Sequence, residues 1–306
     1  MEIRKLIRIG ERSYGITLPR EWVEQNQLKV GSPIKILIES NKVLILPAAA
    51  EKAPTAAKIK EEDVEKALRD VIAYYIEGAD EIQIESSQIS TLVTRIEGKL
   101  PGVVALETGG RLSLRIVTKE DVNIDEIVRS MYTTVMAMFH LFFEFLRGPN
   151  GESAQELLRM DDQLDRLYFL SLRTIKKNIY QDPQGYVDYA IVVKNLEHVG
   201  DALDRATSYL LRNKIPCLSG VLEVFQSLQK YAESAAKAFL ENRAEAALSA
   251  ILNREPLLRE VAEKLSPCEG AAPVMHEAML VTALVADMAE AAYSKYVRKI
   301  STWTGS

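Results

Sequence analysis

Two pairs of carboxylates, each spaced by one helical turn, are the residues of this sequence best suited to chemistry. Asp161 and Asp165 form the first pair, and Glu197 and Asp201 form the second. Each pair shares a helix face with apolar neighbours, where like charges repel and need a partner. Two facing helices that each carry such a pair can enclose an oxygen-rich pocket for a hard or intermediate cation. The spacing therefore indicates a candidate metal site.

The same region also permits an interpretation without a metal. Charged helix faces are usually solvated, and Asp162 with Arg166, like Asp201 with Arg205, has the spacing of an ordinary i, i+4 ion pair. Spacing alone leaves both interpretations open. Gly200 lies beside the second pair and would allow another helix to approach closely. Weaker candidate ligands are Asp204, His198 and His140.

The first 47 residues, which we call the head, are basic, although the whole chain is acidic. The head contains eight Lys/Arg and five Asp/Glu, a net charge of +3, whereas the whole chain carries −5 and the remainder therefore −8. Such a distribution suggests that only the head contacts a polyanion such as nucleic acid.

The pattern of the head predicts strands rather than long helices. Apolar and polar residues alternate with a period of two, as at Ile7 and Ile9, and Pro19 is suited to the first position of a short helix. Four short strands and one short helix cannot bury a proper core alone. We therefore expect the head to be an obligate dimer.

Behind the head, composition and periodicity predict an α+β multidomain chain. Residues 48–60 are rich in Ala, Pro and Lys and predict a linker, and residues 61–118 predict a small α+β module. Residues 121–306, the helical body, show an apolar period of 3.6 with Gly/Pro-rich breaks that predict six helices. We interpret these helices as two three-helix bundles, at about 121–214 and 217–303.

The composition predicts a soluble cytoplasmic protein. The two cysteines, Cys217 and Cys268, are too few and too far apart in sequence for a disulfide framework or a zinc site, and we expect them to be reduced. The longest strongly apolar stretch, Val135 to Leu146, is too short to span a membrane. The N-terminus lacks the apolar segment of a signal peptide.

The motifs of the head indicate a family. They are a first strand ending in Ile-Gly, a strand "SYGITLP" that enters a short helix, an "L-x-V-G" turn and a closing hairpin, within residues 3–47. In these features the head resembles the AbrB/MazE/SpoVT domains. The resemblance implies a swapped-hairpin β-barrel, an intertwined homodimer that presents arginines to double-stranded DNA. The candidate DNA contacts are Arg4, Lys5, Arg8, Arg12 and Arg20. The alternative is that these cations merely solvate a dimer surface.

The helical body carries the motifs "MDDQLDRLYFLSLRTI" and "KNLEHVGDALDRA". Both are similar to helices of the PhoU domain, the paired three-helix-bundle family of phosphate-uptake regulators. The resemblance implies that an E-x-x-x-D motif, here Glu197 and Asp201, takes part in binding iron, zinc or magnesium. In the second bundle, "LVADMAEAAYS" is similar to the family's ending and adds Asp287 and Glu290 as weaker candidates. The corresponding E-x-x-x-D pair would fall on Met279 and Ala283, so we expect a metal site in the first bundle only.

The combined motifs indicate a DNA-binding transcriptional regulator linked to phosphate uptake and homeostasis, with a metal-binding helical sensor domain. The alternative is a signalling adaptor that modulates a phosphate transporter or sensor kinase and uses the head only to dimerise. A third possibility is an antitoxin, against which the large folded body argues. We do not expect an enzyme, because the chain lacks the GxxxxGK[ST] phosphate loop and the Glu-x-x-His repeats of di-iron bundles.

Overall fold

The structure is a computed structural model that describes residues 2–39, 42–47, 55–118, 122–148 and 151–301. The chain divides into two compact units, Met1–Thr55 and Ala56–Ser306. Residues 48–54 of the predicted linker lie outside the described residues.

The first unit contains two hairpins and one short helix. Its elements are β1 (Ile7–Ile9), β2 (Ser13–Gly15), α1 (Arg20–Gln25), β3 (Ile34–Glu39) and β4 (Lys42–Pro47). β1 pairs with β2 and β3 pairs with β4, both antiparallel, as two separate two-stranded sheets. Gly10, at φ +69°, supplies the left-handed backbone of the first turn.

One copy of the head forms no core. None of its residues whose burial is described, 2–38 and 42–47, is buried, and large apolar side chains such as Ile9 and Ile38 are 61% and 78% exposed. The strands that the structure describes close no barrel within a single chain. The swapped-hairpin barrel, which needs a second chain, therefore stays a prediction.

The second unit begins with the α+β module, a four-stranded sheet covered by two helices. Its elements are β5 (Ala56–Lys60), α2 (Val64–Ile76), β6 (Glu81–Glu85), α3 (Ile89–Lys99), β7 (Val103–Thr108) and β8 (Arg111–Ile116). The strand order is β5-β6-β8-β7, with β5 parallel to β6 and the other pairs antiparallel. Apolar residues of one sheet face pack with α2 and α3, and the opposite face is left open.

Residues 56–60 differ from the linker predicted over 48–60, because they form the parallel edge strand β5. Ala57 and Ile59 are buried, whereas Lys58 and Lys60 are exposed. The run therefore has the strand period of two. Its Ala/Lys-rich composition resembles that of a linker and obscures the two apolar positions.

Six helices make up the described part of the helical body, as the sequence breaks predict. They are α4 (Ile124–Arg147), α5 (Gly151–Asn178), α6 (Pro183–Arg212), α7 (Leu218–Glu241), α8 (Ala244–Leu265) and α9 (Ala272–Ser301). Asn123 caps α4, and Asp182 caps α6 ahead of Pro183 at its first turn. Asn242 ends α7 in the left-handed conformation, at φ +57°.

The two predicted three-helix sets share one continuous core. α6 packs on α9, and α4 packs on α7. Phe142 and Phe225 join α4 to α7 with ring centroids 4.7 Å apart. Among the described helices, α9 alone is long and apolar enough to span a membrane by length and composition, over Ala272–Ile300, and half of that window is buried within the protein. This burial is typical of a core helix.

The expectation that both cysteines are reduced is wrong for this structure. Cys217 and Cys268 form a disulfide, with their Cα atoms 6.2 Å apart. It ties the start of α7 to the connection between α8 and α9. The folding of the second helix set brings together two loops that lie 51 residues apart in sequence, and sequence separation gives no information about that approach.

Candidate functional site

The predicted DNA contacts lie on the surface of the head. Arg8, in β1, donates from Nε to the carbonyl oxygen of Gly10 and from Nη2 to that of Glu11, both at 3.2 Å. These bonds hold its guanidinium against the β1–β2 turn. Arg12 in that turn and Lys5 before β1 are exposed, and neither pairs with an acidic side chain among the residues that the structure describes.

The other two predicted contacts already have acidic partners. Arg4 Nη2 donates to Glu2 Oε2 at 2.6 Å, and Arg20 Nε donates to Glu24 Oε1 at 2.7 Å. Both pairs are exposed, and such pairs contribute little to stability. A DNA phosphate would still have to compete with Glu2 for Arg4 and with Glu24 for Arg20. As DNA contacts, the structure therefore favours Arg8, Arg12 and Lys5 over Arg4 and Arg20.

The predicted metal ligands of the first bundle lie along α5 and α6. We call the following half-buried carboxylates the acidic face: Asp161, Asp165, Glu197, Asp201 and Asp204. α5 packs against α6, and Gly200 makes the approach close, as predicted. A Cβ at that position would lie 2.3 Å from Leu164 Cδ2 and 3.3 Å from Met138 Cε.

The carboxylates of the acidic face influence one another. Burial first, and then the charges of Asp201, Asp165 and Asp204 in that order, together raise the pKa of Asp161 to about 7. The pKa of Glu197 is also raised, first by burial. Burial and the charge of Asp201 raise the pKa of Asp204. The acidic face is thus a region in which added positive charge is favourable.

Protein cations already supply part of that charge. The ion pairs are Lys99 Nζ with Asp165 Oδ2 at 3.0 Å, Lys194 Nζ with Glu197 Oε2 at 3.1 Å, and Arg205 Nη1 with Asp201 Oδ2 at 3.2 Å. Arg205 also donates twice to Glu277 on α9, at 3.1 and 3.0 Å. Asp161 has no hydrogen bond or ion pair to another described side chain. It is the carboxylate most in need of a partner.

The weaker candidate ligands divide between the two bundles. His198 lies on the acidic face with its Nε2 3.5 Å from Glu197 Oε2, and burial lowers its pKa. His140 lies on α4 and pairs with Glu144 at 3.4 Å rather than with the acidic face. Asp287 and Glu290 are exposed on α9. Of the weaker candidates, the structure therefore brings Asp204 and His198, but not His140, Asp287 or Glu290, to the main carboxylates.

The chemistry of the acidic face suits a cation, but its present arrangement is not a finished metal site. All of its donors are carboxylate oxygens, which hard cations prefer, and Asp161 is unpaired within the described chain. However, no three His, Cys, Asp or Glu side chains of the described residues are grouped so as to hold a metal ion. A metal would have to displace Lys99, Lys194 or Arg205.

The residues that join α5 to the module have no local signature in the sequence. Arg166, predicted to pair with Asp162, instead donates to the carbonyl oxygens of Glu97 and Gly98 at the end of α3, at 2.6 and 3.0 Å. These carbonyls have no helical partner, so the guanidinium caps the helix. No local spacing in the sequence indicates this contact.

Arg173 makes the most buried of these contacts, with 2% of its side chain exposed. Its Nη1 donates to the carbonyl oxygens of Tyr75 and Ala79, both at 2.8 Å, and its Nη2 lies 3.3 Å from Asp80 Oδ1. The guanidinium also lies 5.0 Å from the ring centroid of Tyr75. In sequence it occupies an ordinary position in an amphipathic helix.

Two family models match the chain. The model of MazE, the bacterial antitoxin described as an antidote-toxin recognition family, matches residues 7–54, and the PhoU domain model matches residues 128–207. No curated protein and no solved structure matches significantly. The PhoU match covers most of α4, all of α5 and most of α6, and it therefore contains the acidic face.

The fold is compatible with a multidomain α+β protein, and the two matched domain families are regulatory and non-catalytic. More particularly, the chain combines an N-terminal MazE/AbrB-type domain with a PhoU domain, and it thus has the architecture that its motifs indicate. α7, α8 and α9 lie beyond the residues that the PhoU model matches.

Proposed function

We propose that this protein is a cytoplasmic, homodimeric transcription regulator that binds double-stranded DNA through its head and takes part in phosphate homeostasis. The two family matches support regulation connected with phosphate and a head of the DNA-binding type. The PhoU domain further suggests partners related to a phosphate transporter or its sensor proteins. In this proposal the helical body receives the signal and the head reads the DNA.

The observation that carries the proposal is the head without a core. Many of its large apolar side chains are exposed in one copy, and a soluble domain with so much exposed apolar surface needs a partner to cover it. A second copy would supply that surface. Pairing two heads would also double the number of cations without an acidic partner among the described residues, at Arg8, Arg12 and Lys5, which suits a duplex with two phosphate backbones.

The test is a mobility-shift titration at fixed salt, with a promoter fragment first enriched by pull-down from genomic DNA. In Arg8→Ala/Arg12→Ala, we expect the salt dependence of log K to become shallower by about 3 to 4 units, because a dimer loses four phosphate contacts. Lys29→Ala/Lys35→Ala is the matched control, because it removes the same charge from exposed positions of the head. If the two double variants had the same affinity and the same salt dependence of log K as each other, the arginines would not be specific DNA contacts.

The same titration separates the alternative functions. Uniform weak binding that salt abolishes, with no enriched promoter, would favour the adaptor that modulates a phosphate transporter or sensor kinase. An antitoxin would instead form a stable complex with a toxin protein. The helical body has its own large core, which favours a signalling role over the role of an antitoxin.

We also propose that the acidic face of the first bundle binds iron, zinc or magnesium. Asp161, Asp165, Glu197 and Asp201 would be the principal ligands, and such an ion would supply positive charge to a region with raised carboxylate pKa values. The support is the electrostatic coupling of these carboxylates and the unpaired Asp161. The protein cations must move aside, so we expect the affinity to be lower than in a preformed site.

Elemental analysis after dialysis against each metal tests this second proposal. Glu197→Gln/Asp201→Asn should lose most of the bound metal. Asp287→Asn/Glu290→Gln, which removes the same charge from an exposed position in the second bundle, should retain it. Equal metal content in all three proteins would exclude the acidic face as the site.

A further inference from the structure

The face of the module sheet that α2 and α3 leave uncovered contains an organised set of polar side chains. The strand registers align its residues in cross-strand rows. We call two adjacent rows the open sheet face: Lys60, Glu85, Arg111 and Thr108 in one row, and Lys58, Gln83, Ser113 and Leu106 in the next. Seven of these eight side chains are polar.

These two rows line a concavity of about 610 Å³. That volume lies within the range of small-molecule sites in proteins. All residues that line it belong to β5, β6, β7 and β8, so the concavity belongs to the module alone. Leu106, 52% exposed on the edge strand β7, forms its apolar side.

The open sheet face is positive on a negative module. Residues 56–118 contain eight Lys/Arg and eleven Asp/Glu, a net charge of −3, whereas the two rows contain three cations and one carboxylate, a net charge of +2. Arg111 Nε neutralises that carboxylate, Glu85, at 3.1 Å. Lys58 and Lys60 form no ion pair with any residue that the structure describes. The surplus charge is therefore available to an anion.

The cations can act together on one ligand. Lys58 and Lys60 lie on β5 and Arg111 lies on β8, with β6 between them, so their strands are about 10 Å apart. Long side chains from both strands can converge above β6. Gln83 and Ser113 lie there and donate to Glu81 Oε1 at 3.1 and 3.3 Å, and they would have to turn from that carboxylate to serve a ligand as neutral donors. Arginine and lysine with nearby hydroxyl and amide donors are the groups that proteins use for phosphate.

We propose that the open sheet face binds a small phosphorylated anion that carries at least two negative charges. A single-stranded nucleic acid fits less well, because neither row offers an aromatic side chain on which a base could stack. The site lies outside the head and the acidic face, so it does not depend on the function proposed above. It would give the module a ligand-binding role in addition to its contact with α5.

The test is isothermal titration of the full-length protein with pyrophosphate and, separately, with ADP, at constant ionic strength. We expect saturable binding of one ligand per chain to at least one of these probes. Lys58→Ala/Lys60→Ala should weaken it about 10- to 100-fold, because two charge-assisted contacts are lost. Lys66→Ala/Arg69→Ala on α2 removes the same charge from exposed residues of the same module and should bind as the wild type does.

Arg111→Gln provides a second, independent variant on another strand, and circular dichroism confirms that each variant is folded. Affinity reduced in both β5 and β8 variants supports the proposal. The proposal would be overturned by a lack of saturable binding to either probe, by equal losses in the α2 control, or by an equal affinity for citrate. Binding of a single-stranded oligonucleotide in place of both probes would likewise overturn it.

Discussion

Replacing Asp161 with asparagine should stabilise the metal-free protein, and the gain should grow with pH. The pKa of Asp161 is raised to about 7, from an ordinary value of 3.8, by burial and by the charges of Asp201, Asp165 and Asp204. Above pH 7 the folded protein therefore holds a carboxylate that its environment disfavours. Asparagine has nearly the same shape and no charge.

The direction in which stability changes with pH follows from proton binding to Asp161. Between pH 3.8 and 7 the folded state keeps the Asp161 proton while the unfolded chain has lost it, so stability falls as pH rises. The penalty is small below pH 4 and complete above pH 7. The full shift corresponds to about 4 kcal/mol, which solvent screening at this half-buried side chain reduces to about 2 kcal/mol. We expect the variant to gain about that amount at pH 8 and less than about 1 kcal/mol at pH 5.

The assay is urea unfolding followed by the helical circular dichroism signal, at several values between pH 5 and pH 8 with a chelator present. Asp162→Asn is the matched control, because Asp162 is the next residue of α5 and is exposed. The control should show no comparable rise with pH. A gain for Asp161→Asn that is absent or independent of pH would refute the claim that this carboxylate is electrostatically strained.

Three further predictions concern stability. Removing the disulfide with Cys217→Ser/Cys268→Ser should lower the free energy of unfolding by up to about 4 kcal/mol, because it closes a loop with a sequence separation of 51 residues; urea titration without reductant measures this, and an unchanged midpoint would contradict it. Gly200→Ala should cost about 1 to 2 kcal/mol despite the better helix propensity of alanine, because the new Cβ would clash with the buried Leu164; equal or higher stability in urea would show that the core yields there. Arg173→Met should lower the free energy of unfolding by about 3 kcal/mol, because two carbonyl groups lose their donor. Hydrogen exchange of α2 should accelerate, and unchanged protection of α2 would show that Arg173 does not hold the module on α5.

Local signals in the sequence predict most of the helical fold. Asp182-Pro183 fixes the start of α6, and Asn242 fixes the end of α7, because capping and left-handed turns depend on the residue at the position itself. β5 is not evident from the sequence, because it is an edge strand of five residues with only two buried apolar side chains, Ala57 and Ile59. Two such positions give a weak periodic signal. The disulfide was missed because it depends on the packing of α7, α8 and α9.

For the acidic face, the sequence predicts only those features that arise within a single helix. The i, i+4 spacing placed Glu197 and Asp201 together on α6, and the missing side chain of Gly200 indicated the close packing. The partners of these carboxylates depend on tertiary structure. Lys99 comes from α3, and Glu277, which shares Arg205 with Asp201, comes from α9. No spacing in the sequence reports such contacts.

α5 belongs both to the acidic face and to the contact with the module, and Asp165 is the residue common to the two. A cation on the acidic face would compete with Lys99 for Asp165, so its binding and the docking of α3 must influence each other equally. The structure also limits this coupling. Lys99 and Asp165 are partly exposed, and such a pair contributes about 1 kcal/mol or less. Arg166 and Arg173 hold the module without using Asp165. A metal would therefore change the docking equilibrium by a factor of about five at most, which is too little to release the module.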